Sequence, residues 1–306
     1  ISAANSASGS GIYLNTSRNI AIRHTTASGN DESGVYLGGT KSATLQNLSL
    51  INNYDGVDFN QYTSSDLDRV VNSTGNKLIN SSISKSEDSS VSLVNSQNNL
   101  IRGNQISDAR IRVFSTDSDL VGNSIINISI LDNSITNTSS GILIQDSSST
   151  SDGTPNDVRE IQLHNNTVDA AQRGNGNGVT LRDVTDITLR NNSISGFEEN
   201  LMIEEIQINS ADHSLEYFRH DIDTSNTVNG DPIYYRRNIS DRTIAADSDA
   251  GFVGIVDSEN VTARDLTLSN VAPGVLLVGS QNVTVQNIST QNTSRGVKGI
   301  SLDNSK

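Results

Sequence analysis

The acidic pair best spaced to do chemistry is Asp55 and Asp58, in Tyr54-Asp55-Gly56-Val57-Asp58-Phe59. Cleaving a glycosidic bond takes two carboxyl groups about 5 to 9.5 Å apart. If this segment is a strand, Val57 and Phe59 turn inward and Asp58 outward, where it could line a groove. A solvated aspartate explains the same residues in a chain so rich in them, so neither is assigned as catalytic and both stand as candidates. Asp146, Asp152 and Asp157, in DSSSTSDGTPND, offer the hard oxygens that Ca²⁺ takes, without EF-hand spacing. A plain polar loop is the alternative there. Tyr234, Tyr235, Arg236 and Arg237 set two aromatics beside two cations. Tyrosine stacks on sugar rings and arginine forks onto carboxylates, so a glycan or a surface protein could dock there. The alternative is packing of the tyrosines on the flank, with Asp231 and Asp241 pairing the arginines.

Composition bounds the setting. The formal net charge is −14, aromatics make up 4%, and lysine occurs only at Lys41, Lys77, Lys85, Lys298 and Lys306. This balance fits a halophile, and the absence of a basic stripe argues against a nucleic-acid partner. No cysteine is present, so a disulfide framework and thiolate metal sites are excluded. No apolar run approaches the roughly 20 residues that a bilayer span needs. Asn-x-Ser/Thr acceptors are frequent. Asn15, Asn72, Asn137, Asn238 and Asn292 are the glycosylation candidates, consistent with an extracellular or cell-surface location.

The elements that must position these residues follow from a repeat. A small residue followed by apolar–x–apolar recurs as Gly11-Ile12-Tyr13-Leu14, Gly34-Val35-Tyr36-Leu37, Gly56-Val57-Asp58-Phe59, Ser90-Val91-Ser92-Leu93, Gly141-Ile142-Leu143-Ile144 and Gly178-Val179-Thr180-Leu181. Alternation of period two places Ile12 and Leu14 on one face and Tyr13 on the other. Such short strands bury their apolar face only by stacking, so Ile12 lies under Val35 and Val35 under Val57. Glycine and asparagine between strands permit the corners. The expected fold is all-β, a right-handed parallel β-helix of roughly 22-residue coils running through 1–306, with loop insertions near 145–160 and 204–250. Neither end carries an evident polar cap. A longer parent chain, or end-to-end or lateral self-association, is therefore expected.

These phrases, together with His220-Asp221-Ile222-Asp223-Thr224-Ser225-Asn226-Thr227-Val228-Asn229-Gly230-Asp231-Pro232-Ile233-Tyr234-Tyr235, resemble the NosD-type family, the periplasmic copper-binding repeat proteins. Asp231 stands where that family commonly has Lys. The resemblance implies an archaeal cell-surface or secreted protein. It also implies copper, and here the residues disagree. Copper takes sulfur or clustered imidazoles, whereas Met202 is the one methionine and His24, His164, His213 and His220 are scattered. Nor is the polygalacturonase pattern present: Arg110-Ile111-Arg112 is similar only to its last element. The reading is a non-enzymatic surface or adhesion β-helix, glycan-binding, with calcium as the metal it could hold. The alternatives are a polysaccharide lyase or glycoside hydrolase, and a fibre or filament subunit.

Overall fold

A computed structural model describes residues 2–4, 9–64, 69–116, 124–146, 157–205, 215–269, 274–291 and 300–303. Three short strands make up each coil. Thr44–Gln46, Ser49–Ile51 and Asp55–Asn60 form one coil, followed by Lys77–Ile79, Ser82–Ser84 and Ser89–Val94. Each strand pairs in parallel with its counterpart one coil away, as in Leu45↔Leu78↔Ile101 and Leu50↔Ile83↔Ile106. Three faces therefore enclose one aliphatic core.

Stacking keeps like over like. The column Val35, Val57, Val91 and Ile111 is fully buried, as is the column Leu37, Phe59, Leu93 and Val113. Burying a side chain of this size contributes about 1.5–3 kcal/mol, so aliphatic columns suffice where aromatics are few. Buried asparagines form a second ladder inside one corner. The backbone N–H of Asn104, Asn133, Asn166 and Asn192 each donates to the Oδ1 of the asparagine one coil on, at 3.0–3.1 Å. The Nδ2 groups of Asn104, Asn133, Asn166 and Asn192 donate to the carbonyls of Leu78, Ile101, Ile130 and Leu163.

Two antiparallel excursions interrupt the winding. Tyr62–Ser64 pairs with Arg69–Val71 directly after the strand Asp55–Asn60. Later, Thr227–Val228 turns back on Asp231–Arg237 through Asn229-Gly230, whose φ values of 52° and 95° suit the hairpin turn that Asn-Gly favours. The stretch read as an insertion near 204–250 contains regular stacking. Asp231–Arg237 pairs in parallel with Phe252–Val256, and Ser240–Ile244 with Glu259–Arg264. Among the described residues, the departures from the coil there are the hairpin and two 3-10 turns, Leu215–Phe218, whose Leu215 side chain lies against Gly279, and Ala246–Ser248. The other insertion, near 145–160, lies largely in 147–156, outside the described residues.

Candidate functional site

The outward positions of one face carry most of the unusual chemistry. In register across successive coils stand Tyr13, Tyr36, Asp58, Ser92 and Arg112. Their strand neighbours on either side are buried, or partly buried for Tyr13, so the pleat turns these five away from the core. Tyr13 and Tyr36 stack with ring centroids 4.8 Å apart and planes 11° apart, and Tyr13 is 59% exposed. Gly38 makes room for the platform: a Cβ there would sit 2.8 Å from Cε1 of Tyr36. Gly39, at φ +58°, lets the hairpin come close, because its Cβ would meet Tyr62 and Val71 at 2.9–3.0 Å. Four of the seven tyrosines, Tyr13, Tyr36, Tyr54 and Tyr62, belong to these first coils.

Asp58 is outward yet only 9% exposed. Its Oδ2 accepts from Asn60 at 3.4 Å, and its buried Oδ1 has no hydrogen-bond partner. Burial raises its pKa to about 6, against the lowering effect of the Asn60 and Ser92 side chains. Asp55 accepts from the Ser89 N–H at 2.9 Å. Burial, and then the Asp58 charge, raise its pKa to about 7. Tyr36 is pushed up to about 12 by burial and by Asp58. On the cationic side, Asp88 holds Arg110 at 2.7 Å and Arg112 at 3.6 Å. The Arg112 guanidinium lies 3.7 Å over the Phe114 ring, and burial followed by the Arg110 charge lowers its pKa. The face thus joins an aromatic platform to two carboxyls of raised pKa and a clamped pair of arginines.

The other sequence candidates fall elsewhere. Tyr235 is 4% exposed and its hydroxyl donates to the Phe218 carbonyl at 2.6 Å, so it serves the fold and offers no face to a ligand. Tyr234 is half-buried with the Arg236 guanidinium 5.0 Å from its ring centre, and Arg237 is exposed. Asp146 is buried and accepts from the Ser115 hydroxyl at 2.5 Å, while Asp157 pairs with Arg159 at 2.7 Å. Asp152 and His213 lie outside the described residues. Thus the calcium candidates are engaged separately where described, and no three His, Cys, Asp or Glu side chains gather into a metal cage among the described residues. His220 is buried under Tyr235, and burial followed by the Arg237 charge lowers its pKa to about 3.

Asn15 and Asn72 are half-buried, Asn137 and Asn238 are exposed corners, and Asn292 lies outside the described residues. Alternation alone places Tyr13 opposite the core and gives it no role. The signal was in hand: tyrosine occupies the same repeat position in two consecutive copies, directly before Asp58 in the third.

A family profile described as right handed beta helix region matches residues 10–158. The chain is a right-handed parallel β-helix. No curated protein sequence matches it. Among solved structures it is similar to the tailspike protein of E. coli bacteriophage HK620. A mutant of that tailspike in complex with a pentasaccharide aligns at a TM-score of 0.53 and 12% identity, over 93% of this chain and 56% of that one. A mutant in complex with a hexasaccharide aligns at 0.51 and 11%, over 93% and 55%. The β-helix therefore spans just over half the length of the tailspike it matches. The periplasmic alginate epimerase AlgG aligns at 0.42 and 13%, over 88% of this chain and 50% of that one. No helix among the described residues is long and apolar enough to cross a membrane.

Proposed function

We propose that this β-helix is an extracellular or cell-surface protein that binds a glycan along the outward column Tyr13–Tyr36–Asp58. The observation that carries this reading is the stacked tyrosine platform set one coil from a buried carboxyl with an unpartnered oxygen. A pyranose ring can lay its apolar face on the exposed Tyr13 ring and turn its hydroxyls to polar side chains farther along the column, the pairing of aromatic and polar groups that saccharide sites use. The spacing supports it as well, since coils repeat at the strand separation of about 4.8 Å, close to the length of one sugar residue. The saccharides held by the similar tailspikes agree with this class of ligand.

The raised pKa values of Asp55 and Asp58 favour one further reading at the same place. Two neighbouring carboxyls with raised pKa values, about 7 for Asp55 and about 6 for Asp58, can divide the acid and carboxylate roles that glycosidic cleavage employs. Glycan-array binding, followed by product analysis of the bound saccharides, tests both readings. Binding lost in Tyr36→Ala is the expected result. Products that vanish in Asp58→Asn would make the site a cleaving one. Absence of binding to any glycan would overturn the proposal.

A further inference from the structure

We propose that the trench beside Arg237 and Asn238, on the C-terminal coils, is a separate binding site for a carboxylated sugar. A pocket of about 250 Å³ there is lined by Leu215, Arg219, Arg237, Asn238, Val256 and Asp257. It shares Asn238 and Asp257 with an adjoining hollow of about 320 Å³ that adds Ser240, Glu259 and Gln281. The two form one trench, with both arginines at one end, hydroxyl and amide groups along its length, and the carboxylates of Asp257 and Glu259 on its wall.

The cations are what set it apart. In a chain of net charge −14, arginines find carboxylates readily: Arg102 with Asp132, Arg110 with Asp88, Arg182 with Glu204, Arg264 with Asp265. Among the described residues Arg219 and Arg237 pair with none, as is also true of Arg18, Arg23, Arg236 and Arg242, but Arg219 and Arg237 line one pocket together, with Asp257 on the same wall. Their separation is held by the fold. The Tyr235 hydroxyl, two residues before Arg237, donates to the carbonyl of Phe218, the residue before Arg219. That bond ties together the two segments that carry the arginines. Leu215 is seated against Gly279, where a Cβ would lie 2.3 Å from its Cδ2, so the 3-10 turn is anchored at its other end too.

Two guanidinium forks carried on tied backbone segments match a carboxylate, and the apolar surface of Leu215 and Val256 suits a ring face beside it. Asn238, Ser240 and Gln281 supply partners for hydroxyls. A uronic acid meets all three demands, whereas acetate meets only the first and glucose only the others. This site is distinct from the tyrosine platform and does not depend on it.

The test is titration of the full chain at low salt with sodium glucuronate, glucose and sodium acetate, followed by NMR. Glucuronate should saturate and outcompete both of the others. Arg219→Gln and Arg237→Gln should each weaken it at least about tenfold, as loss of a charge-assisted hydrogen bond implies. Both arginines are exposed, so their variants should keep the wild-type melting temperature. Tyr36→Ala should leave glucuronate affinity unchanged, which separates this site from the first. The proposal is overturned if acetate or glucose binds as tightly as glucuronate, or if either arginine variant binds it normally.

Discussion

At the residue scale, Asp58 works against the stability of the coil that holds it. Its folded pKa of about 6 lies above the ordinary 3.8, so the native chain keeps a proton that the unfolded chain releases. That stabilisation is complete below about pH 4 and is lost as pH rises through about 6 for Asp58 and about 7 for Asp55. The shift on Asp58 corresponds to about 3 kcal/mol at most. Asp58→Asn should therefore raise the melting temperature at pH 8, leave it nearly unchanged at pH 4, and flatten the profile between. A variant no more stable than wild type at pH 8 would show that the carboxylate is not penalised.

The glycosylation motifs follow from the corners of the coil. Of the twelve described Asn-x-Ser/Thr asparagines, ten have φ between 50° and 59°: Asn47, Asn80, Asn127, Asn137, Asn165, Asn191, Asn238, Asn260, Asn282 and Asn287. A left-handed corner favours asparagine. The next residue turns inward, and in seven of the ten the one after opens a strand: Ser49, Ser82, Thr167, Ser193, Ser240, Thr284 and Ser289. The motif is thus written by corner geometry, which is reason enough for its frequency. At Asn127, Asn165 and Asn287 the Nδ2 is already donated to the neighbouring coil, at 2.8–2.9 Å.

At the element scale, one corner is held from within by asparagine. Asn133 takes the N–H of Asn104 and gives its own Nδ2 to the Ile101 carbonyl, both at 3.0 Å, while only 2% exposed. Removing the amide leaves a buried donor and a buried acceptor on the adjoining coil without partners. Asn133→Ala should cost about 2–4 kcal/mol in urea unfolding, while Gln105→Ala on an exposed strand position should stay within about 0.5 kcal/mol. Equal effects would mean that the ladder is incidental. Asparagine at corners was legible in the sequence, but its two roles were not. Asn165 supplies the left-handed backbone, and Asn166 beside it, with no positive φ, supplies the buried hydrogen bonds.

At the scale of the whole molecule, a charge of −14 is spread over an elongated body. Like charges repel across coils until salt screens them. Raising ionic strength from about 0.1 M to about 1 M shortens the screening length from about 10 Å to about 3 Å. The melting temperature should rise over that range, and a constant or falling value would remove the basis for reading the composition as an adaptation to salt. The paired arginines lose attraction under the same screening, but they are few, partly exposed pairs of small worth.

The sequence by itself determined the solenoid, because apolar residues at period two, repeated coil after coil, admit one way of burying themselves. It also determined which residue stacks on which: Ile12, Val35 and Val57 share a column as the repeat required. What those columns do depends on the packing of one coil on the next. Asp58 reads as a solvated aspartate until the neighbouring coils and their side chains remove its water. Tyr235 reads as a binding residue until a turn distant in sequence covers it and takes its hydroxyl. Burial and electrostatic neighbourhood depend on residues brought together from other coils, and a local pattern of alternation carries no record of them.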